Sequence, residues 1–109
     1  MKKLKLPASV KIGPFVYRIE EMERRAPIRE RCSGVTEHGP LLIRVQLDDF
    51  PAQVIAETLV HEIFHAIYWV AGVLDEDREE RIVRQMATMW AAVMRDNPAL
   101  VKWLADALK

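Results

Sequence analysis

The fold is decided by the stretch PAQVIAETLVHEIFHAIYWVAG, which covers residues 51–72. Its apolar residues recur at the three- and four-residue spacing that places side chains on one face of a helix. That face is formed by Leu59, Ile63, Ala66, Ile67 and Val70. We therefore predict a helix from about Pro51 to Ala71 that packs this face into a core. Asp49 is its predicted N-cap and Gly72 its predicted C-cap.

Short β-like stretches, broken by glycine and proline, precede this helix. Residues 10–19 predict two strands that meet in a turn at Gly13-Pro14. Residues 41–47, from Leu41 to Leu47, predict a further strand because apolar and polar side chains alternate there. Residues 76–95 and 98–108 again show helical spacing.

These elements predict a single α+β domain over residues 1–109, with strands and loops over 1–50 and helices over 51–109. The predicted sheet is small and mainly antiparallel. It packs on the helix of residues 51–71, on a second helix that follows it, and on a short C-terminal helix.

The composition excludes several classes of protein. The 109 residues are 50% hydrophobic, and 16 basic and 16 acidic side chains balance, which argues against intrinsic disorder and against a dedicated nucleic-acid-binding protein. No apolar run has the length of a membrane span. Lys11, Gly13 and Pro14 interrupt the apolar region that a signal peptide needs after its basic start. We therefore expect a cytoplasmic protein without a membrane partner.

The predicted helix contains an HExxH motif, formed by His61, Glu62 and His65. Positions i and i+4 lie one turn apart on the same face, so both imidazoles can reach one tetrahedral Zn²⁺ ion. The glutamate between them is held close to a water on that metal without being a ligand itself. Both histidines lie nearly opposite the apolar face, where histidines that fill a core are not expected. The pattern therefore predicts a zinc site.

A catalytic zinc site needs a third protein ligand and an open position for water. In the second predicted helix, Glu79 falls in the middle of the apolar face, where an unpaired carboxylate is costly. Glu80 lies at the edge of that face. We predict Glu79 as the third ligand, with Glu80 as the alternative, while solvated acids in a first helical turn are the simpler interpretation. His38 is predicted to be a surface residue of a turn.

With these residues, the chain resembles the zincin metallopeptidases and, more narrowly, the gluzincins, in which a glutamate on a following helix completes a His-His-Glu site. Its size and layout are similar to short bacterial and phage forms, including the minigluzincins and the metal-binding domain of the ImmA/IrrE family. The resemblance implies a Zn²⁺-dependent peptidase with His61 and His65 as ligands and Glu62 as catalytic base. It also implies that the strand of residues 41–47 lies along the active-site cleft, where an extended peptide substrate adds to its edge.

Two other functions stay open from the sequence. One is a zinc-bound regulatory or peptide-binding module with little activity. So short a chain lacks room for the second subdomain that normally forms the other side of the substrate cleft. The other is a structural α+β domain without metal. Tyr17, Tyr68 and His38 are candidates for the donor that stabilises an oxyanion, and the sequence does not choose among them.

Overall fold

A computed structural model describes residues 4–23, 34–48, 50–72 and 79–109. These residues form an α+β fold with a four-stranded mixed sheet and three helices, which confirms the predicted fold class. The strands are β1 (Ser9–Ile12), β2 (Phe15–Glu21), β3 (Gly34–Glu37) and β4 (Leu42–Val45). The helices are α1 (Ala52–Ala71), α2 (Glu79–Asp96) and α3 (Pro98–Ala107).

The strands lie in the order β1-β2-β4-β3. β1 and β2 form the predicted antiparallel hairpin, and Gly13 in its turn has a φ of +57°, in the left-handed region that glycine adopts without steric cost. β3 and β4 are also antiparallel, whereas β2 and β4 are parallel. The long connection between β2 and β4, which contains β3, makes this parallel pairing possible.

β4 is an interior strand, because β2 pairs with one side of it and β3 with the other. The prediction that residues 41–47 offer a free edge to a peptide is therefore wrong. β3 lies at the end of the sheet instead, in a register that runs from Gly34 opposite Val45 to Glu37 opposite Leu42. A strand of four residues between two turn signals has no periodicity of its own, so the sequence did not reveal it.

The core lies between the sheet and α1. The predicted apolar face of α1 is confirmed, since Leu59, Ile63, Ala66 and Ile67 are fully buried and Val70 is partly buried against the core. They join buried residues of the sheet, namely Val10, Ile12, Tyr17, Ile19, Ile43 and Val45. Burial of these side chains fixes the rotation of α1, which turns its opposite face toward solvent.

The ends of α1 agree only in part with the prediction. Gly72 is the C-cap, with a φ of +65°, and its N–H bonds the carbonyl oxygens of Trp69 and Tyr68. The N-cap is Pro51 and not Asp49, which lies outside the described residues. Pro51 uses no side-chain hydrogen bond there; its carbonyl accepts from the N–H groups of Val54 and Ile55.

α2 and α3 complete the layer of helices. Trp90 of α2 contacts Phe64 of α1, with ring centroids 5.3 Å apart. Between α2 and α3, the Asn97 amide accepts from the Lys11 N–H and donates to the Lys11 carbonyl, both at 2.9 Å, which ties this junction to β1. Leu100 and Leu104 are buried as expected from their spacing, whereas Val101 and Leu108 are exposed. α3 therefore buries a narrower stripe than its sequence suggested.

By length and composition alone, α1 could cross a membrane, with a mean hydropathy of 1.2 over its most apolar window. Core helices of globular domains share this composition, and α1 packs its apolar face on the sheet. The observation is therefore weak evidence for a membrane span.

Candidate metal centre

His61 and His65 lie one turn apart on the exposed face of α1, opposite its buried stripe. Their Nε2 atoms are 3.1 Å apart. Two ligands held at about 2.0–2.1 Å from a tetrahedral zinc ion are separated by about 3.3 Å. The 3.1 Å separation is that of a hydrogen bond between the two rings, and it is also close to the spacing that a shared zinc ion requires. The donor set fits this metal.

The side chain of Glu62, between the two histidines in sequence, faces the edge strand β3. It is 6% exposed and is the one charged side chain buried among the described residues. The Thr36 hydroxyl donates to Oε1 of Glu62 over 2.7 Å and also lies 3.1 Å from the Glu62 carbonyl oxygen. Because a buried carboxylate is costly without hydrogen bonds, Thr36 stabilises Glu62 in this orientation.

Gly34 allows β3 to approach α1 closely at this point. A Cβ atom on residue 34 would lie 2.9 Å from Cγ of Glu62, 3.0 Å from Cγ2 of Thr58 and 3.1 Å from Oε2 of Glu62. Gly34 and Thr36 are two residues apart on one strand, so both face α1. They form a cradle for the Glu62 side chain, with Gly34 providing space and Thr36 a hydrogen bond.

His38 follows β3 directly, in the turn where the sequence predicted it, but it is half-buried and held on two sides. Its Nδ1 atom is 3.2 Å from the hydroxyl of the fully buried Tyr17. Its ring stacks on Trp69, with centroids 4.8 Å apart and planes 6° apart. Burial and the nearby charge of His65 lower the pKa of His38, and burial raises the pKa of Tyr17.

The third ligand is not settled by these contacts. In the part of the chain that the structure describes, no group of three His, Cys, Asp or Glu side chains is assembled for a metal. Glu79 and Glu80 begin α2, which packs against α1, but their side chains lie outside the described residues. The assignment of Glu79, with Glu80 as alternative, stays a prediction.

Sequence reasoning missed the residues that surround the motif. Gly34 and Thr36 lie far before Glu62 in the sequence. Only the pairing of β3 with β4, which no local pattern reveals, brings them to face Glu62. Trp69 was also missed, although it stacks on His38. Its i+4 spacing from His65, on the exposed face of α1, is the signal that could have identified it.

Comparison with protein-family models, with curated proteins and with solved structures finds no match to this chain.

Proposed function

We propose that this protein is a zinc-dependent metallopeptidase in which His61 and His65 bind the metal and Glu62 is the catalytic base. The observation that carries this proposal is the 3.1 Å separation of the two Nε2 atoms on a solvent-exposed helix face. The fixed carboxylate of Glu62 supports it, since Glu62 is adjacent in sequence to His61 and is held by Thr36.

Bound zinc would supply a water of lowered pKa and polarise the scissile carbonyl group. Glu62 accepts the proton of the attacking water and later delivers it to the leaving amine. Because Thr36 donates to Oε1, we assign the proton transfer to Oε2 of Glu62. The Thr36 hydrogen bond also limits the rotation of the carboxylate, so the base keeps one position during the reaction.

The outer edge of β3, which pairs with no further strand among the described residues, is the place at which a substrate would bind. β3 is the terminal strand of the sheet and packs beside α1 at Glu62. An extended peptide can add to such an edge through main-chain hydrogen bonds. This arrangement would bring a peptide bond next to the histidine pair and the base without a separate binding subdomain.

The proposal is tested with protein purified without a histidine tag. We expect about one zinc ion per chain, and we expect hydrolysis of a mixed peptide substrate that a chelator stops and added zinc restores. Bound zinc without hydrolysis would favour the alternative function, a zinc-bound peptide-binding or regulatory module. Protein that folds and binds no zinc would contradict both functions.

Gly34→Ala tests the cradle around the base. The new Cβ atom would meet Cγ of Glu62 at 2.9 Å and Oε2 at 3.1 Å, so the carboxylate must move. Misplacement of a catalytic group by about 1 Å can lower the rate on the order of a hundredfold. We therefore expect kcat to fall by about tenfold to a hundredfold. Zinc binding is expected to persist, because the three nearest atoms to the new Cβ atom belong to Glu62 and Thr58 and not to a histidine.

Gly39→Ala is the matched control for this substitution, since a Cβ atom there meets nothing within 4 Å. It is expected to leave kcat unchanged. Equal activity of the two alanine variants, measured on zinc-loaded protein, would show that the cradle has no catalytic role.

A further inference from the structure

We infer that the rings of Phe15, Trp69 and His38, here called the ring shelf, form a subsite for an aromatic or bulky aliphatic side chain of the peptide substrate. This inference rests on the proposed peptidase function and names the class of substrate that the site prefers.

The ring shelf is an exposed group of aromatic rings in contact with one another. Trp69 stacks on His38 with centroids 4.8 Å apart, and Phe15 lies against Trp69 at 6.0 Å with planes tilted by 53°. Trp69 is 49% exposed and Phe15 36% exposed. Contiguous apolar surface of this kind on a globular domain marks a binding site more often than isolated exposed side chains do.

The position of the ring shelf relates it to the proposed reaction. Trp69 lies one turn after His65 on α1, and His38 directly follows Glu37, the last residue of β3. The shelf therefore lies where β3, the last strand in the sheet order, ends, and beside the histidine pair. A peptide that pairs with β3 and has its scissile bond at that pair would carry a neighbouring side chain onto these rings.

The chemistry of the ring shelf favours an uncharged side chain. Phe15 and Trp69 carry no charge, and the lowered pKa of His38 favours its neutral form. The Tyr17 hydroxyl at Nδ1 of His38 fixes the orientation of that ring. Rings held in this way offer flat apolar faces for stacking with another aromatic group or contact with an aliphatic one. They offer no fixed positive charge for an acidic side chain.

The test measures the hydrolysis of a set of peptides. They differ only at one position beside the scissile bond, which holds Phe, Leu, Gly or Asp. At one of the flanking positions we expect wild-type kcat/KM for the Phe peptide to exceed that for the Gly peptide about tenfold or more. Trp69→Ser is expected to remove this preference while leaving kcat/KM for the Gly peptide within about twofold. Phe50→Ser is the matched control, because Phe50 is an aromatic residue outside the ring shelf and is 41% exposed.

Binding provides a second readout that does not depend on turnover. With the inactive Glu62→Gln protein, calorimetric titration is expected to show about tenfold tighter binding of the Phe peptide than of the Gly peptide, and loss of that difference when Trp69→Ser is added. A preference that survives Trp69→Ser, or that Phe50→Ser removes equally, would overturn the ring shelf. If wild-type protein cleaves no peptide, the peptidase proposal fails separately, and the binding difference still decides whether the shelf exists.

Discussion

Glu62→Gln is expected to abolish peptide hydrolysis, by about 10²–10⁴-fold, without loss of bound zinc. The amide cannot accept the proton of the attacking water, so the step assigned to Oε2 is lost. Its carbonyl oxygen can still accept the hydrogen bond that Thr36 donates to Oε1 in the wild-type protein. The variant should therefore fold as the wild type does, and zinc content and circular dichroism are measured beside kcat.

Glu57→Gln is the matched control for this variant. Glu57 lies on the same helix, but its side chain is exposed. The same chemical change is expected to leave hydrolysis intact there. A Glu62→Gln protein that keeps its activity would refute the role of Glu62 as base, even if zinc is bound.

His61→Ala and His65→Ala are each expected to weaken zinc binding by more than about a hundredfold, since partners that only support a metal ligand already contribute ten- to a hundredfold. Both side chains are exposed, so their loss should not disturb the core. Competition with a chromophoric chelator measures the zinc affinity. Zinc raises the Tm of the wild-type protein by binding its folded state, and this rise should disappear in both variants.

His38→Gln is the control within the set of three histidines. Glutamine can accept a hydrogen bond from Tyr17, and His38 is not among the proposed ligands, so zinc affinity should be unchanged. Zinc binding that is insensitive to His61→Ala and His65→Ala would contradict the site. A loss in His38→Gln as large as that in the other two would instead make His38 a ligand.

The motif helix could be predicted because its information is local. The apolar stripe from Leu59 to Val70 fixes which face of α1 is buried, and the exposed positions of His61 and His65 follow from the same periodicity. The αL cap at Gly72 is equally local, since glycine adopts this conformation at helix ends without steric cost.

The surroundings of Glu62 could not be predicted, because they depend on contacts between distant segments. A regular alternation over residues 41–47 predicted a strand, but no local pattern shows that β3 pairs with it and takes the edge of the sheet. The same pairing brings Gly34 and Thr36 to Glu62. The third ligand also depends on contacts between distant segments. Glu79 and Glu80 are neighbours in the sequence of α2, and only their distances from the histidine pair decide which of them is the ligand.

Anomalous diffraction at the zinc edge, from crystals of the wild-type protein grown with zinc, tests the central claim most directly. We predict one peak at about 2.0–2.1 Å from the Nε2 atoms of both His61 and His65, with a carboxylate of Glu79 or Glu80 as a further ligand. Crystals in which these two rings point apart, with no anomalous peak between them, would contradict it.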